Sequence, residues 1–218
     1  MNGKEKSMAR FGSLILGATL GTGLLACGSG GTSTKDPLDF VPLDNAVSGW
    51  MVDQEHSKTP GARAMTANTE ADAVALIDGG AAPFYKAPYA PEMFLWQNYI
   101  NSSLPAAPPP MGAAVVLYIL QMPSADQASG LYTALLEESE YSGQKGTPDD
   151  WQPTSPPLGT ESRIEDTRTA WWINFHQDVF YVEVMLSPSY GPPPDYTPSD
   201  PDLKAEALHF AQAVASKM

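Results

Sequence analysis

The stretch that most constrains the fold of this chain is TAWWINFHQDVFYVEVML, residues Thr169 to Leu186. Aromatic and β-branched residues alternate with other residues on both sides of His176-Gln177-Asp178, which predicts two antiparallel strands around those three residues. Successive side chains of a strand point to opposite faces of a sheet. The first strand should therefore be divided between two faces, with Trp171, Ile173 and Phe175 on one and Trp172, Asn174 and His176 on the other.

Three further segments have the composition of strands. Met93 to Ile100 is rich in aromatic residues, and Met111 to Met122 is apolar almost throughout, which favours a buried central strand. Ser162 to Thr167 alternates only weakly between apolar and polar residues. Together with the hairpin, these segments predict about five strands.

Three other segments show the spacing of amphipathic helices, each behind a capping residue. The first runs from Asn68 to Ile77 with Thr69 as its N-cap, and the second runs from Ser124 to about Tyr141. The third begins after Asp200. Because helices separate groups of sequential strands, the pattern predicts an α+β fold, with a mainly antiparallel sheet and helices packed on it.

The N-terminus has the pattern of a bacterial lipoprotein signal. Three basic residues precede an uncharged apolar run from Phe11 to Leu25, and Ala26 then stands before Cys27. We expect a signal peptidase to cleave before Cys27, whose thiol would carry the lipid and label with palmitate. The predicted organisation is a signal peptide over residues 1–26, a lipidated Cys and flexible tether over 27–36, and a single domain over 37–218.

Cys27 is the only cysteine of the chain. Once it is lipidated, no thiol remains in the domain, which excludes disulfides, thiolate zinc sites and Cys nucleophiles. The expected location is the cell envelope, attached by lipid. In a Gram-negative cell this would be the outer membrane, facing the periplasm or the cell surface.

The charge balance restricts the partners. The chain has 12 basic and 25 acidic residues. Residues 1–26 carry three of the basic residues and Glu5, so the rest has 9 basic against 24 acidic residues, a net charge of −15. A surface of this charge repels nucleic acid, so nucleic acid is excluded as a binding partner. The expected partners are the membrane, reached through the lipid, and either an envelope protein or a small ligand.

Two glycines in the sequence ALIDGGAAPFY follow the first predicted helix. They lack the Lys-Ser/Thr of a Walker loop and the third glycine of a dinucleotide fingerprint, so helix termination is the favoured interpretation. Gly80 should then have a positive φ or face closely approaching backbone. In the alternative interpretation the amides of Gly80 and Ala81 hold an anion, which makes Asp78, Gly79 and Gly80 candidate ligand-binding residues.

The titratable residues form no catalytic or metal-binding motif. His56 lies in a polar loop, His176 at the predicted hairpin tip, and His209 beside the apolar stripe of the last helix, where it could face the sheet. Adjacent acids such as Glu165-Asp166 point to opposite faces of a strand, so a glycosidase pair would need carboxylates from distant segments. No catalytic residue, metal ligand or cofactor is therefore assigned.

The strand aromatics give the strongest indication of a binding site. If one face of the sheet packs on helices, the other carries Trp172 beside polar residues. An ordinary core with cross-strand aromatic pairs is the simpler explanation. The functional alternative is an aromatic platform for a glycan or an apolar small molecule, with Trp172 as a ligand-binding residue.

Two functions are therefore compared for this chain. The favoured one is a non-enzymatic binding or interaction module, and the alternative is a cell-envelope hydrolase that uses dispersed carboxylates. The question of enzymatic activity stays open. An aromatic cleft would favour the binding module, and two carboxylates of raised pKa in one cleft would favour the hydrolase.

Three segments resemble a family of uncharacterised bacterial envelope proteins: LIDGGAAPFY, QASGLY and WWINFHQDVFYVEV. In that family they form a Gly-Gly-Ala turn, an Ala-x-Gly-x-Tyr helix and an aromatic hairpin. The matching positions here are Asp78, Gly79, Gly80, Ala128, Gly130 and Tyr132. Gln177-Asp178 departs from the family, which has a glycine there. The resemblance covers about Trp50 to Val214 and implies a domain of unknown function without assigned catalytic residues.

Overall fold

The computed structural model describes residues 35–54, 64–77, 80–104, 113–137, 151–166, 170–187 and 201–218. Over these ranges the chain forms three α-helices and eight strands that belong to one antiparallel sheet, so the fold is α+β. The predicted signal peptide, most of the tether, Asp78, Gly79 and His56 lie outside these ranges.

The strands of the sheet lie in the order β1-β3-β4-β8-β7-β6-β5, and β2 pairs with β3 beside β1. Five of them are the strands that the sequence predicts, namely β3 (Met93–Asn101), β4 (Ala113–Gln121), β6 (Glu161–Asp166), β7 (Trp171–Gln177) and β8 (Phe180–Ser187). No sequence pattern predicts the three short ones, β1 (Met51–Val52), β2 (Met65–Ala67) and β5 (Gln152–Pro153).

The helices are α1 (Glu70–Leu76), α2 (Ala125–Glu137) and α3 (Pro201–Ala215). Two predicted caps are confirmed. Thr69 Oγ1 accepts a hydrogen bond from the Asp72 amide at 3.2 Å, and Ser124 Oγ accepts one from the Gln127 amide at 3.2 Å. A short 3₁₀ helix, Ala82–Tyr85, follows α1 and inserts Phe84 into the core.

Helix α3 covers one face of the sheet, which we call the α3 face. The predicted stripe of α3 is confirmed, since Leu203, Ala207, Phe210 and Val214 are all buried there. Each fully buried large apolar side chain contributes about 1.5–3 kcal/mol, so this layer is the main core. The residues that it buries on the sheet include Leu95, Tyr99, Val115, Leu117, Ile119, Ile164, Trp171, Ile173, Phe175, Val182, Val184 and Leu186.

The opposite face, which we call the α2 face, is covered by α1, the 3₁₀ helix and α2, and α2 lies over β7 and β8. Its apolar cluster includes Ala73, Phe84, Phe94, Leu120, Leu131 and Tyr181. The predicted division of β7 is confirmed, because Trp171, Ile173 and Phe175 pack in the α3 core and the residues between them lie on the α2 face. Both faces are therefore covered by helices, and the buried side chains of the α3 face are mostly apolar, with Gln97 as a polar exception.

Two histidines differ from the prediction. His176 is not at the hairpin tip: β7 continues through Gln177, and His176 pairs with Tyr181 of β8. The chain turns at Asp178 and Val179 instead, because Asp178 accepts the positive φ of 50° that a tight hairpin turn requires. His209 is exposed and does not face the sheet.

Gly80 does not have the predicted positive φ. The predicted close approach of backbone is confirmed, because a Cβ at Gly80 would lie 3.3 Å from the carbonyl oxygen of Ile77. The Gly80 amide donates to that same oxygen at 3.1 Å. One of the two amides that the anion-binding interpretation needs is thus already bonded within the turn, and helix termination accounts for this glycine.

Candidate functional site

Five side chains form a row across the α2 face, one from each of five neighbouring strands. The register pairs Trp96 with Tyr118, Tyr118 with Glu183, Glu183 with Asn174, and Asn174 with Arg163. We call this set the polar row. Its first two members are partly exposed, whereas Glu183 and Asn174 are each 1% exposed and Arg163 is 4% exposed. A buried charged and polar floor thus lies where the other face of the sheet has an apolar core.

Arg163 contacts two aromatic rings. Its guanidinium carbon lies 4.1 Å from the ring centre of Tyr132, on α2, and 4.9 Å from that of Trp151, just before β5. All three side-chain nitrogens are buried and have no hydrogen-bond partner among the described residues. Both rings stabilise the charge of Arg163 through cation–π contact. They cannot accept the in-plane N–H bonds of the guanidinium, which are left unsatisfied.

Two further polar atoms beside Arg163 also have no hydrogen-bond partner within the described part of the chain. They are Oδ1 of Asn174, the cross-strand neighbour of Arg163, and Nε2 of His176, two residues further along β7. We call these three residues the Arg163 cluster. The carboxylate facing the cluster is that of Glu161, whose Oε2 is 4.0 Å from His176 Nε2, beyond hydrogen-bond length. Unsatisfied buried polar atoms are rare in folded proteins, so their concentration here requires an explanation.

The protonation state of His176 follows from its surroundings. Burial lowers its pKa below the ordinary value; the charge of Glu161 acts in the opposite direction, and that of Arg163 lowers the pKa further. The imidazole is therefore neutral near pH 7. Its ring lies 5.1 Å from that of Tyr132, so the same tyrosine contacts both the cation and the histidine.

The lowered pKa of His176 predicts a dependence of stability on pH. The buried imidazole binds a proton less readily than the same histidine in the unfolded chain. The contribution of neutral His176 to the free energy of unfolding is therefore complete above the unfolded pKa of about 6.5 and is lost as the pH falls below that value. His176→Gln should therefore lose less stability than the parent protein between pH 7.5 and pH 5.5, as measured by urea unfolding. His209→Gln, at an exposed site, is the control and should lose as much as the parent. Equal losses in all three proteins would contradict the prediction.

The middle of the polar row is acidic. Tyr181 donates a hydrogen bond to Oε2 of Glu183 at 3.1 Å. Burial, and then the charge of Glu183, raise the pKa of Tyr118 well above its ordinary value, so its hydroxyl stays protonated. Glu165 lies on the same face, two residues along β6 from Arg163, and is 2% exposed. The floor therefore presents buried groups of both charge signs.

Partly exposed large side chains surround this floor. They are Trp96 and Tyr118 at one end of the polar row, Trp172 and Met185 beside it, and Trp151 over Arg163. We call them the rim. A rim of aromatic and apolar side chains over a few convergent polar groups is the usual composition of a small-molecule site.

Gly159 fixes the loop that approaches His176. Its φ is +57°, and a Cβ there would lie 2.5 Å from the carbonyl oxygen of His176. The same oxygen accepts a hydrogen bond from the Thr160 amide at 2.8 Å. Only glycine allows the loop between β5 and β6 to pass this close to β7.

The candidate residues from the sequence have different positions. Trp172 is in the rim, with Asn174 and His176 on the same face as predicted, whereas Asp78 and Gly79 lie outside the described residues. Gly80 belongs to the turn after α1. The three segments that carry the family resemblance meet on the α2 face, since Phe84, Ala128 and Tyr181, one from each, share a single buried cluster.

Sequence reasoning missed Arg163 and Trp151, and it considered Glu165 only as half of the adjacent pair Glu165-Asp166. A signal for Arg163 and Glu165 is present, because Glu161, Arg163 and Glu165 alternate with period 2 and must share one face of β6. The intervening Ser162 and Ile164 give β6 little apolar content, which hides the alternation. Trp151 follows a Pro- and Asp-containing stretch, and no periodicity indicates its contact with Arg163.

The described part of the chain contains no group of three or more His, Cys, Asp or Glu side chains able to hold a metal ion. Within the same residues, every helix is too short or too polar to cross a membrane. Compared with protein-family models and with curated proteins, the chain matches no family and no relative. The resemblance to bacterial envelope proteins therefore stays a prediction.

Proposed function

We propose that this protein is a lipid-anchored protein of the bacterial cell envelope that binds a small ligand on its α2 face without chemical turnover. The observation that carries the proposal is Arg163, a buried cation whose N–H donors have no partner in the ranges that the structure describes, next to a partly exposed aromatic rim. An unsatisfied buried group destabilises a fold by about 1–3 kcal/mol. A ligand that fills the site and accepts these bonds gives a functional reason for retaining it.

The rim supports the same proposal. Trp96, Tyr118 and Trp172 lie on three strands of one face and keep part of their surface open. Stacking against such rings provides binding energy for an apolar or sugar ring, while the polar row below provides orientation. This arrangement corresponds to the aromatic platform that the sequence offers as its functional alternative.

The lipid anchor rests on the N-terminal pattern of basic residues, apolar run, Ala26 and Cys27. Expressed with its own signal in a bacterium, the protein should incorporate labelled palmitate and enter the detergent phase on phase separation. Cys27→Ala should do neither, since no other cysteine is present to carry the lipid. A Cys27→Ala protein that still incorporates palmitate would refute the anchor.

Ligand binding is tested with the full chain purified in detergent and two neutral probes, N-acetylglucosamine and N-acetylphenylalaninamide. Ligand-observed NMR should detect at least one of them, and Trp172→Ala should abolish its signal. Trp171→Phe is the matched control, because Trp171 packs on the opposite face of the same strand. A probe bound equally well by Trp172→Ala would place the site elsewhere.

A cell-envelope hydrolase is the second candidate, and one observation favours it. Glu165 and Glu183 are both buried on the α2 face, so two carboxylates from distant segments do share one side of the sheet. Turnover of purified cell-wall material by the parent protein, lost in Glu183→Gln, would replace the binding proposal by this one. The absence of released product under conditions where a probe binds would favour the binding module.

A further inference from the structure

We infer that the group recognised by the Arg163 cluster is a planar carboxylate with a hydrogen-bond donor next to it, as in an N-acylated amino acid with an apolar side chain. The inference rests on the proposed function, namely that the α2 face is a binding site. It adds the chemical class of the ligand and the residues that select it.

The geometry of Arg163 selects a carboxylate. The rings of Tyr132 and Trp151, 4.1 Å and 4.9 Å from the guanidinium carbon, contact the π system of Arg163 and leave the N–H donors at the edge of the guanidinium plane for a ligand. All three guanidinium nitrogens lack partners among the described residues. A carboxylate accepts two parallel N–H bonds in that plane, which makes it the planar anion that matches this edge.

The neighbouring groups disfavour an anion of higher charge. Glu161 faces the cluster next to His176, Glu165 follows Arg163 on the same face of β6, and Glu183 lies two strands away in the polar row. His176 is neutral and adds no positive charge. Because one cation lies among three acids, further negative charge on a ligand is repelled, and a single charge is repelled less than the double charge of a phosphate.

Asn174 favours a ligand that has a hydrogen-bond donor next to its carboxylate. Its Oδ1 has no partner and can only accept a hydrogen bond. Because Asn174 is the cross-strand neighbour of Arg163, a ligand held by the guanidinium edge presents its adjacent atoms to this oxygen. The N–H of an acylated α-amino group stands next to the carboxylate and supplies the donor.

The rim accommodates the remainder of such a ligand. Trp172 is the neighbour of Met185 on β8 and of Glu165 on β6, beside the polar row, and its ring keeps part of its surface open. An apolar side chain attached to the same carbon as the carboxylate and the N–H can therefore contact the rim while the polar groups occupy the cluster. A free N-acyl amino acid and the C-terminal residue of a peptide share this chemistry.

The test compares N-acetylphenylalanine with N-acetylphenylalaninamide by calorimetry on the full chain in detergent. The two probes differ only in the carboxylate. The acid should bind at least about 30-fold more tightly, as expected for a desolvated charge pair. Arg163→Gln should bind both probes equally, and Lys204→Gln, which removes a cation stacked 5.4 Å from the Trp171 ring on the other face, should keep the preference. The peptide Gly-Gly-Phe in place of the acid shows whether a peptide end is accepted as well.

Arg163→Lys provides a second variant in case Arg163→Gln does not fold. It keeps the charge but not the planar fork, and should lose most of the preference for the acid. Equal affinity of the parent protein for the acid and the amide would overturn the inference while leaving the proposed function intact. Tighter binding of inorganic phosphate than of the acid would also overturn it. If neither these probes nor N-acetylglucosamine binds, the inference and the proposed function both fail.

Discussion

Trp171→Ala should lower the free energy of unfolding by about 3–5 kcal/mol, whereas Trp172→Ala should lower it by only about 1 kcal/mol. The two residues are adjacent in β7 and point to opposite faces. Trp171 packs in the α3 core, so truncating it leaves a cavity among close-packed side chains. Trp172 belongs to the partly exposed rim, where solvent fills the space that the ring vacates.

Urea unfolding of both variants measures the difference. Trp171→Phe keeps most of the buried volume and should be much less destabilised than Trp171→Ala, which shows that the loss comes from packing. Since Trp172→Ala stays folded, its loss of probe binding can be assigned to the site. If both Ala variants lost the same large free energy, the two tryptophans would be equal parts of the core, and the aromatic platform would lose its support.

The elements of this fold could be predicted from the sequence because their signals are local. The alternation in WWINFHQ assigns each side chain of β7 to a face without any knowledge of its neighbours. Thr69 and Ser124 mark the starts of α1 and α2 through bonds that span three residues. The error at His176 is local too: the polar residues His176 to Asp178 predict the turn, whereas only Asp178 of these belongs to it, with a positive φ, together with Val179.

The site could not be predicted in the same way, because it depends on the order of the strands. β8 lies between β4 and β7, so Tyr118 becomes the neighbour of Glu183 although 64 residues separate them. Arg163 reaches the same row through β7. No pattern within a single segment encodes these pairings, and the contact of Arg163 with Tyr132 also requires α2 to pack over β7. Trp172 is predictable as a candidate binding residue because the alternation of side chains in β7 alone assigns it to a face of the sheet.

Arg163→Met should raise the free energy of unfolding of the ligand-free protein by about 1–3 kcal/mol. Taking a cation out of water costs several kcal/mol, and no hydrogen bond compensates this cost at Arg163. Cation–π contact with the rings of Tyr132 and Trp151 stabilises the folded state by about 0.5–2 kcal/mol each, and the value is larger where water is excluded from the contact. Met keeps the apolar stem against both rings and brings no donors into the interior, so the penalty disappears while the packing is retained.

Urea unfolding of Arg163→Met without ligand tests this expectation, and Lys204→Met on the exposed side of α3 is the control, with a change within about 0.5 kcal/mol. The stabilised Arg163→Met protein should also no longer distinguish N-acetylphenylalanine from its amide. A gain in stability together with a loss of recognition is the behaviour of a residue retained for binding at the expense of the fold. A loss of stability would instead mean that contact with Tyr132 and Trp151, together with attraction to the neighbouring carboxylates, more than offsets the burial of the guanidinium. Arg163 would then be a structural clamp between α2 and β6, and the carboxylate site would lose the observation on which it is based.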